Sequence, residues 1–88
     1  MEIVWDEQKN WWLKDTRNVS FEQIAGVIFA EQYLDIAGNP TRANQEYFVI
    51  WLREYTWLVR FLVDDSGRIV LKTAYPSRKA HRRYGGKQ

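Results

Sequence analysis

Between residues 46 and 75 the chain holds three extended runs with very little between them. "EYFVIWLR" (46–53), "TWLVRFLV" (56–63) and "RIVLKTAY" (68–75) are rich in β-branched and aromatic residues. Such residues fit a pleated, half-buried surface. The connections are too short for a crossover, so the runs predict an antiparallel meander. "DDSGR" (64–68) fits a three-residue hairpin loop with Gly67 in the left-handed bulge position. That register pairs Asp64 with Arg68, and therefore Arg60 with Lys72. One face then carries Arg60 and Lys72, with Leu58, Leu62, Val70 and Ala74 around them. The other carries Trp57, Val59, Phe61, Ile69 and Leu71, apolar throughout, and is where helices should pack. A two-residue loop near residues 53–55 adds Phe48, Ile50 and Leu52 to the core and places Tyr47 and Trp51 beside Arg60 and Lys72. A three-residue loop reverses that last assignment. Pro76 ends the run, because proline has no amide hydrogen for a ladder.

The segment before the meander reads as a short strand at residues 2–5 and two helices. Asp6 caps the first, which runs to about Arg17. Trp11, Trp12 and Leu13 are consecutive, and one helical face cannot bury all three, so one tryptophan, Trp11, is expected to be partly exposed. Asn18 closes this helix in the left-handed conformation. "SFEQ" (20–23) is a capping box, with Ser20 as N-cap and Gln23 three residues on. Phe21, Ile24, Ala25 and Ile28 follow at helical spacing and form an apolar stripe. Residues 37–45, "AGNPTRANQ", read as turn and loop. After Pro76, Ser77 caps a last short helix from Arg78 to Tyr84, stopped by Gly85 and Gly86. The expected fold is α+β: an antiparallel sheet of three to four strands, two N-terminal helices on one face, and a short basic C-terminal helix.

Composition limits the chemistry. The 88 residues suit one domain, residues 1–88. There is no cysteine and only one histidine, so disulfides, thiolate metal sites and multi-histidine sites are excluded within the chain. No cofactor is expected. The opening "MEIVWDEQKN" lacks a signal-peptide pattern, and no apolar stretch approaches the ~18 residues of a membrane helix. A cytoplasmic protein with no membrane contact is the expectation.

Charge is unevenly spread. Residues 1–67 hold six Lys/Arg and all eleven acids; residues 68–88 hold seven Lys/Arg and no acid. Such asymmetry suits a polyanion or an acidic partner. Arg60 beside Lys72 would repel on a sheet, so the pair needs an anion or a local carboxylate such as Glu46. Arg78 and Lys79 stand at the start of a helix, the end that favours negative charge. A phosphate there would meet both cations, with Arg82 and Arg83 one turn later. His81 reads as a general base or a plain surface residue, and Ser77 as a cap rather than a nucleophile. Exposed aromatic residues beside cations suit single-stranded nucleic acid, because every base offers a face to stack on.

Three stretches carry a resemblance. "VWDEQKN" (4–10), "VSFEQI" (19–24) and "RIVLKTAYPSRKAHRRY" (68–84) resemble, in order, the BrnT-type toxins of bacterial type II toxin–antitoxin systems. The resemblance spans nearly the whole chain. It implies a fold like that of the RelE/ParE superfamily and a metal-independent ribonuclease that inhibits translation. It also implies a cognate antitoxin as partner, contact with DNA only through that antitoxin, and RNA met free or on the ribosome. Lys9, Arg78, Lys79 and Arg83 match family-like basic positions, as do Trp5, Asp6 and Asn10, though Asp6 also reads as a cap and Trp5 as a packing residue. Asn18 stands where family members usually carry glycine, and His81 where threonine is expected. The expected catalytic set is Arg60, Lys72, Arg78, Lys79 and Arg83. The RNA-binding set is Lys9, Tyr47, Trp51, His81, Arg82 and Tyr84. Two other functions remain open: a non-catalytic module that binds nucleic acid or an acidic partner, and a gyrase-directed toxin of the same superfamily.

Overall fold

Each element starts and stops where local chemistry dictates. A computed structural model describes residues 1–38, 41 and 45–85. Strand β1 covers Ile3–Trp5, helix α1 Glu7–Arg17 and helix α2 Phe21–Phe29. The Asp6 side chain accepts from the Gln8 amide, and Asn18 closes α1 with φ 57°. Ser20 and Gln23 form the reciprocal capping box of α2, which satisfies two amides that the first helical turn leaves unpaired. Strand β2 follows at Asp35–Gly38, β3 at Glu46–Leu52, β4 at Tyr55–Val63 and β5 at Ile69–Pro76; helix α3 is Arg78–Tyr84.

The sheet is five-stranded and mixed, in the order β1-β5-β4-β3-β2. The meander β3-β4-β5 is antiparallel, as its loops require. The expectation of a wholly antiparallel sheet of three to four strands is corrected twice. Strand β1 pairs with β5 in parallel, from Ile3 opposite Ile69 to Trp5 opposite Leu71. Residues 35–38, of which 37 and 38 were read as loop, pair with β3 from Asp35 opposite Val49 to Gly38 opposite Glu46. Residues 39, 40 and 42–44 of the predicted loop, and Gly86 of the predicted stop, lie outside the described residues.

The β3–β4 loop has two residues, Arg53 and Glu54, both at positive φ. That pair of conformations matches the twist of the strands it joins. It places Phe48 and Ile50 in the core and packs Leu52 against it, while Tyr47 and Trp51 take the far face. The β4–β5 loop also follows its sequence. Gly67 has φ 81°, and Asp64 and Arg68 pair through backbone and side chain.

Beyond that loop the predicted register fails at one place. A β-bulge shifts the ladder between Arg60 and Phe61, so that Arg60 faces Thr73 and Phe61 faces Leu71. Lys72 is the extra residue. Without the bulge, Thr73 and Tyr75 would turn into the core and Ala74 outward. With it, Ala74 is buried opposite Val59, and Thr73 and Tyr75 join the far face. The predicted Arg60–Lys72 cross-strand pair and the placement of Ala74 beside it are both corrected by this extra residue.

Helices α1 and α2 close the core face with Leu13, Phe21, Ile24 and Ile28 against Phe48, Ile50, Trp57, Val59, Phe61 and Leu71. Helix α3 lies on the opposite face. The half-buried His81 ring stacks on Tyr55 at 4.0 Å and on Trp51 at 5.7 Å between centroids. Its Nδ1 sits 3.1 Å from the buried Thr56 hydroxyl. A Cβ at Gly85 would lie 2.6 Å from His81 Nδ1, so a larger residue there would displace the ring. Both α1 tryptophans are exposed, Trp11 by 72% and Trp12 by 51%. The expectation of a single exposed one is corrected: Leu13 alone of the triplet points inward.

Candidate nucleic-acid groove

Two of the positions singled out in the opening motif turn out to build the frame. Asn10 is fully buried. Its Oδ1 accepts from the Phe21 amide at 2.8 Å, and its Nδ2 donates to Glu22 at 2.8 Å and Glu7 at 3.3 Å. A side chain of α1 thus caps α2 and fixes the angle between them. The Trp5 ring packs 5.9 Å from Phe21.

Strand β1 pairs only as far as Leu71. The remaining edge of β5 is covered by α1, where the Arg17 guanidinium donates to the Ala74 carbonyl at 2.6 Å. Between α1 and the bulge lies a groove of about 420 Å³. Asp6, Lys9, Trp12, Arg60, Lys72 and Thr73 are among its walls. The bulge brings Lys72 and Thr73 into this groove together. Arg60 crosses the sheet to reach it from β4. Lys9 leans in from α1.

None of these three cations forms an ion pair among the described residues. Among the described residues the ion pairs are Lys14–Glu22 and Arg68–Asp64, and neither involves the groove. Asp6, the acid on the wall, accepts from the Gln8 amide through Oδ1 at 2.8 Å and forms no ion pair among the described residues. Glu46 does not neutralise Arg60: it sits opposite Phe61, one position out of phase, and so on the other face.

A second hollow of about 290 Å³ lies between α3 and the far face, with Tyr47, Tyr75, Ser77, Lys79, Arg83 and Tyr84 on its walls. Arg60 links the two. It lines the first groove, and its charge also acts on the Tyr75 phenol of the second. Burial raises the Tyr75 pKa, the adjoining Tyr47 phenol raises it further, and Arg60 works against both. Tyr75 therefore stays protonated at neutral pH and is a hydrogen-bond donor. Tyr84 donates to Asp35 at 2.6 Å, and that bond raises its pKa too.

The predicted residues thus divide. Lys9, Arg60 and Lys72 share the α1 groove. Tyr47, Lys79, Arg83 and Tyr84 share the α3 hollow. Trp51 and His81 stack on each other at the seam of α3 with the sheet. Arg78 and Arg82 are exposed on α3. Trp12, Thr73 and Tyr75 also line these hollows, and the sequence does not single them out. Two of these were out of reach because the bulge that turns them is not signalled in "LKTAY". Trp12 was visible as one of two adjacent indoles, but nothing in the sequence said it would flank Arg60.

Among the described residues no group of three or more His, Cys, Asp or Glu is gathered in one place. No helix is long and apolar enough to cross a membrane. Compared with protein-family models, with curated proteins and with solved structures, the chain shows no match to any of the three.

Proposed function

We propose that this protein is a metal-independent ribonuclease toxin of the BrnT type, with a RelE/ParE-like fold, that inhibits translation and is restrained by an acidic antitoxin. The observation that carries the reading is the α1 groove. Lys9, Arg60 and Lys72 arrive there from three different elements, and among the described residues none of them forms an ion pair with a carboxylate. Asp6, the acid on the wall, offsets at most one of these three charges; cations gathered in such excess repel one another, and the arrangement makes sense if an anion completes it.

The chemistry follows from that charge. The 2′-oxygen of a ribose attacks the adjacent phosphorus, the bond from phosphorus to the 5′-oxygen breaks, and a 2′,3′-cyclic phosphate forms. The 2′-proton leaves to a base and a proton is delivered to the 5′-oxygen. Negative charge grows on the phosphoryl oxygens in the transition state, and preplaced cations in a partly enclosed groove stabilise it more than they stabilise the bound RNA. Arg60 is the centre of this assignment, with Lys72 and Lys9 on either side. Tyr75, its pKa raised by burial, offers a hydrogen-bond donor beside Arg60, with the Tyr47 phenol adjoining it. Lys79, Arg83 and Tyr84 extend the same sign of charge and aromatic surface along the strand's path, with Arg78 and Arg82 on the exposed side of α3. Residues 68–88, with seven cations and no acid, suit an acidic antitoxin segment that folds on them.

The test is incubation of purified, antitoxin-free protein with a defined single-stranded RNA in EDTA, with the fragment ends analysed. Cleavage to 2′,3′-cyclic phosphate ends supports the proposal. Intact RNA together with unslowed translation overturns it. Steep salt-dependent binding without cleavage would point to a binding module, and loss of supercoiling activity to a gyrase-directed toxin.

A further inference from the structure

Trp12 stands at the mouth of the cationic groove and belongs to two hollows at once. It lines the groove of Lys9, Arg60 and Lys72, and also a neighbouring hollow of about 440 Å³ that it shares with Trp11, Lys14 and Asp15. A large indole left half exposed beside three unpaired cations is poorly explained by packing. Leu13, its neighbour in the chain, is the residue of this triplet that fills the core. The indole is nevertheless held in place. The Arg17 guanidinium lies over it, 4.8 Å from the ring centroid, and the same side chain is anchored to the Ala74 carbonyl. An ordered, exposed aromatic ring costs little further entropy to bind against. Lys9 and Trp12 are three residues apart on α1, so they neighbour each other on one helix face.

We propose that Trp12 is a base-stacking subsite. A single-stranded nucleic acid lays a phosphate among Lys9, Arg60 and Lys72 and stacks the adjoining base on the Trp12 indole. The inference rests on the reading of the groove as a phosphate site, and it names the ligand as single-stranded, since a base paired within a duplex has no free face to offer. Cation and ring act on different parts of the same nucleotide. Recognition at Trp12 is then tolerant of base identity, because every base has a face to stack.

The experiment uses the full chain and two fluorescent hexanucleotides, a hexadeoxyuridylate and an abasic strand with the same phosphates. Deoxyribose removes the 2′-hydroxyl, so binding is read without cleavage. The wild type is expected to bind the uracil-bearing strand more tightly than the abasic one. Trp12→Ala weakens binding of the uracil-bearing strand by about 5- to 150-fold, as loss of one stacked base implies, and leaves binding of the abasic strand unchanged. Trp12→Phe, which keeps a ring, restores most of the affinity. Equal affinity of the wild type and Trp12→Ala for the uracil-bearing strand overturns the inference. So does an equal loss on both strands, which marks a structural role. Cleavage is read separately on the all-ribose strand. A chain that stacks through Trp12 yet leaves RNA intact and translation unslowed keeps this subsite and overturns the ribonuclease. A chain that cleaves but ignores the bases does the reverse.

Discussion

Asn10 shows how much of this fold depends on single polar side chains. It is fully buried and uses both ends of its amide, accepting from Phe21 and donating to Glu22 and Glu7. Asn10→Ala leaves the Phe21 amide without a partner in the core. A cost of about 2–3 kcal/mol is expected, read as a lower urea midpoint with little change in slope. The Asn10 bond is also the main reason that Glu22 titrates below its ordinary value of 4.5. A carboxyl whose folded pKa is depressed contributes stability that is present above its unfolded pKa. That contribution is lost as pH falls through the folded value. The gap between wild type and Asn10→Ala should therefore be widest near neutral pH and narrow in acid below 4.5. Urea titrations at the two ends of that range check it. A gap that stays constant would mean that Glu22 is not part of the link.

Among the elements, the turns and the last helix make separate predictions. Arg53 and Glu54 both hold positive φ, 53° and 61°, a conformation that costs residues with a Cβ roughly 1–2 kcal/mol. The Asn-Gly pair preferred in such loops should relieve this. Arg53→Asn with Glu54→Gly is expected to stabilise the protein by about 1–2 kcal/mol in thermal unfolding, and to leave the groove unaffected. At α3 the effect runs the other way. Gly85→Ala places a Cβ against the His81 ring and disturbs its stacking on Tyr55 and Trp51. A loss of about 1 kcal/mol is expected, with the amide protons of α3 exchanging faster than those of the core strands.

The elements also divide by how far their causes are visible in the letters. Caps and turns are local, so Asp6, Asn18, Ser20, Gly67 and Ser77 announce their structures directly. The meander is nearly local, since its loops are short. Strand β2 is a brief edge strand of Asp, Ile, Ala and Gly, and half of that is turn vocabulary. The parallel pairing of β1 brings together Ile3 and Ile69, a meeting that no window of sequence contains. The bulge at Lys72 is set by the need to bury Ala74 rather than Thr73, which only the packed sheet reveals. The groove depends on all three of these: the edge left by β1, the bulge, and the approach of α1. The individual cations were therefore legible, and their grouping was not. Arg60 and Lys72 meet through the bulge instead of across a regular ladder, and Lys9 joins them from 51 positions before Arg60.

At the scale of the whole molecule, the two faces of the sheet do different work. One carries α1, α2 and the apolar core. The other carries α3, Tyr47, Tyr75 and Arg60, and opens at the β5 edge into the cationic groove. This arrangement ranks the cations: Arg60 and Lys72 at the groove ahead of Arg78 and Arg83 on α3. The most direct measurement compares RNA cleavage in EDTA by the wild type, by Arg60→Gln with Lys72→Gln, and by Arg78→Ala with Arg83→Ala, each shown to be folded. The wild type is expected to release 2′,3′-cyclic phosphate ends, and the groove variant to lose about 100-fold or more in rate, as removal of preplaced transition-state charge does. The α3 variant should bind RNA more weakly, with a shallower salt dependence, yet keep most of its rate at saturating RNA. Full activity in the groove variant, or loss of the chemical step only in the α3 variant, would contradict this ranking.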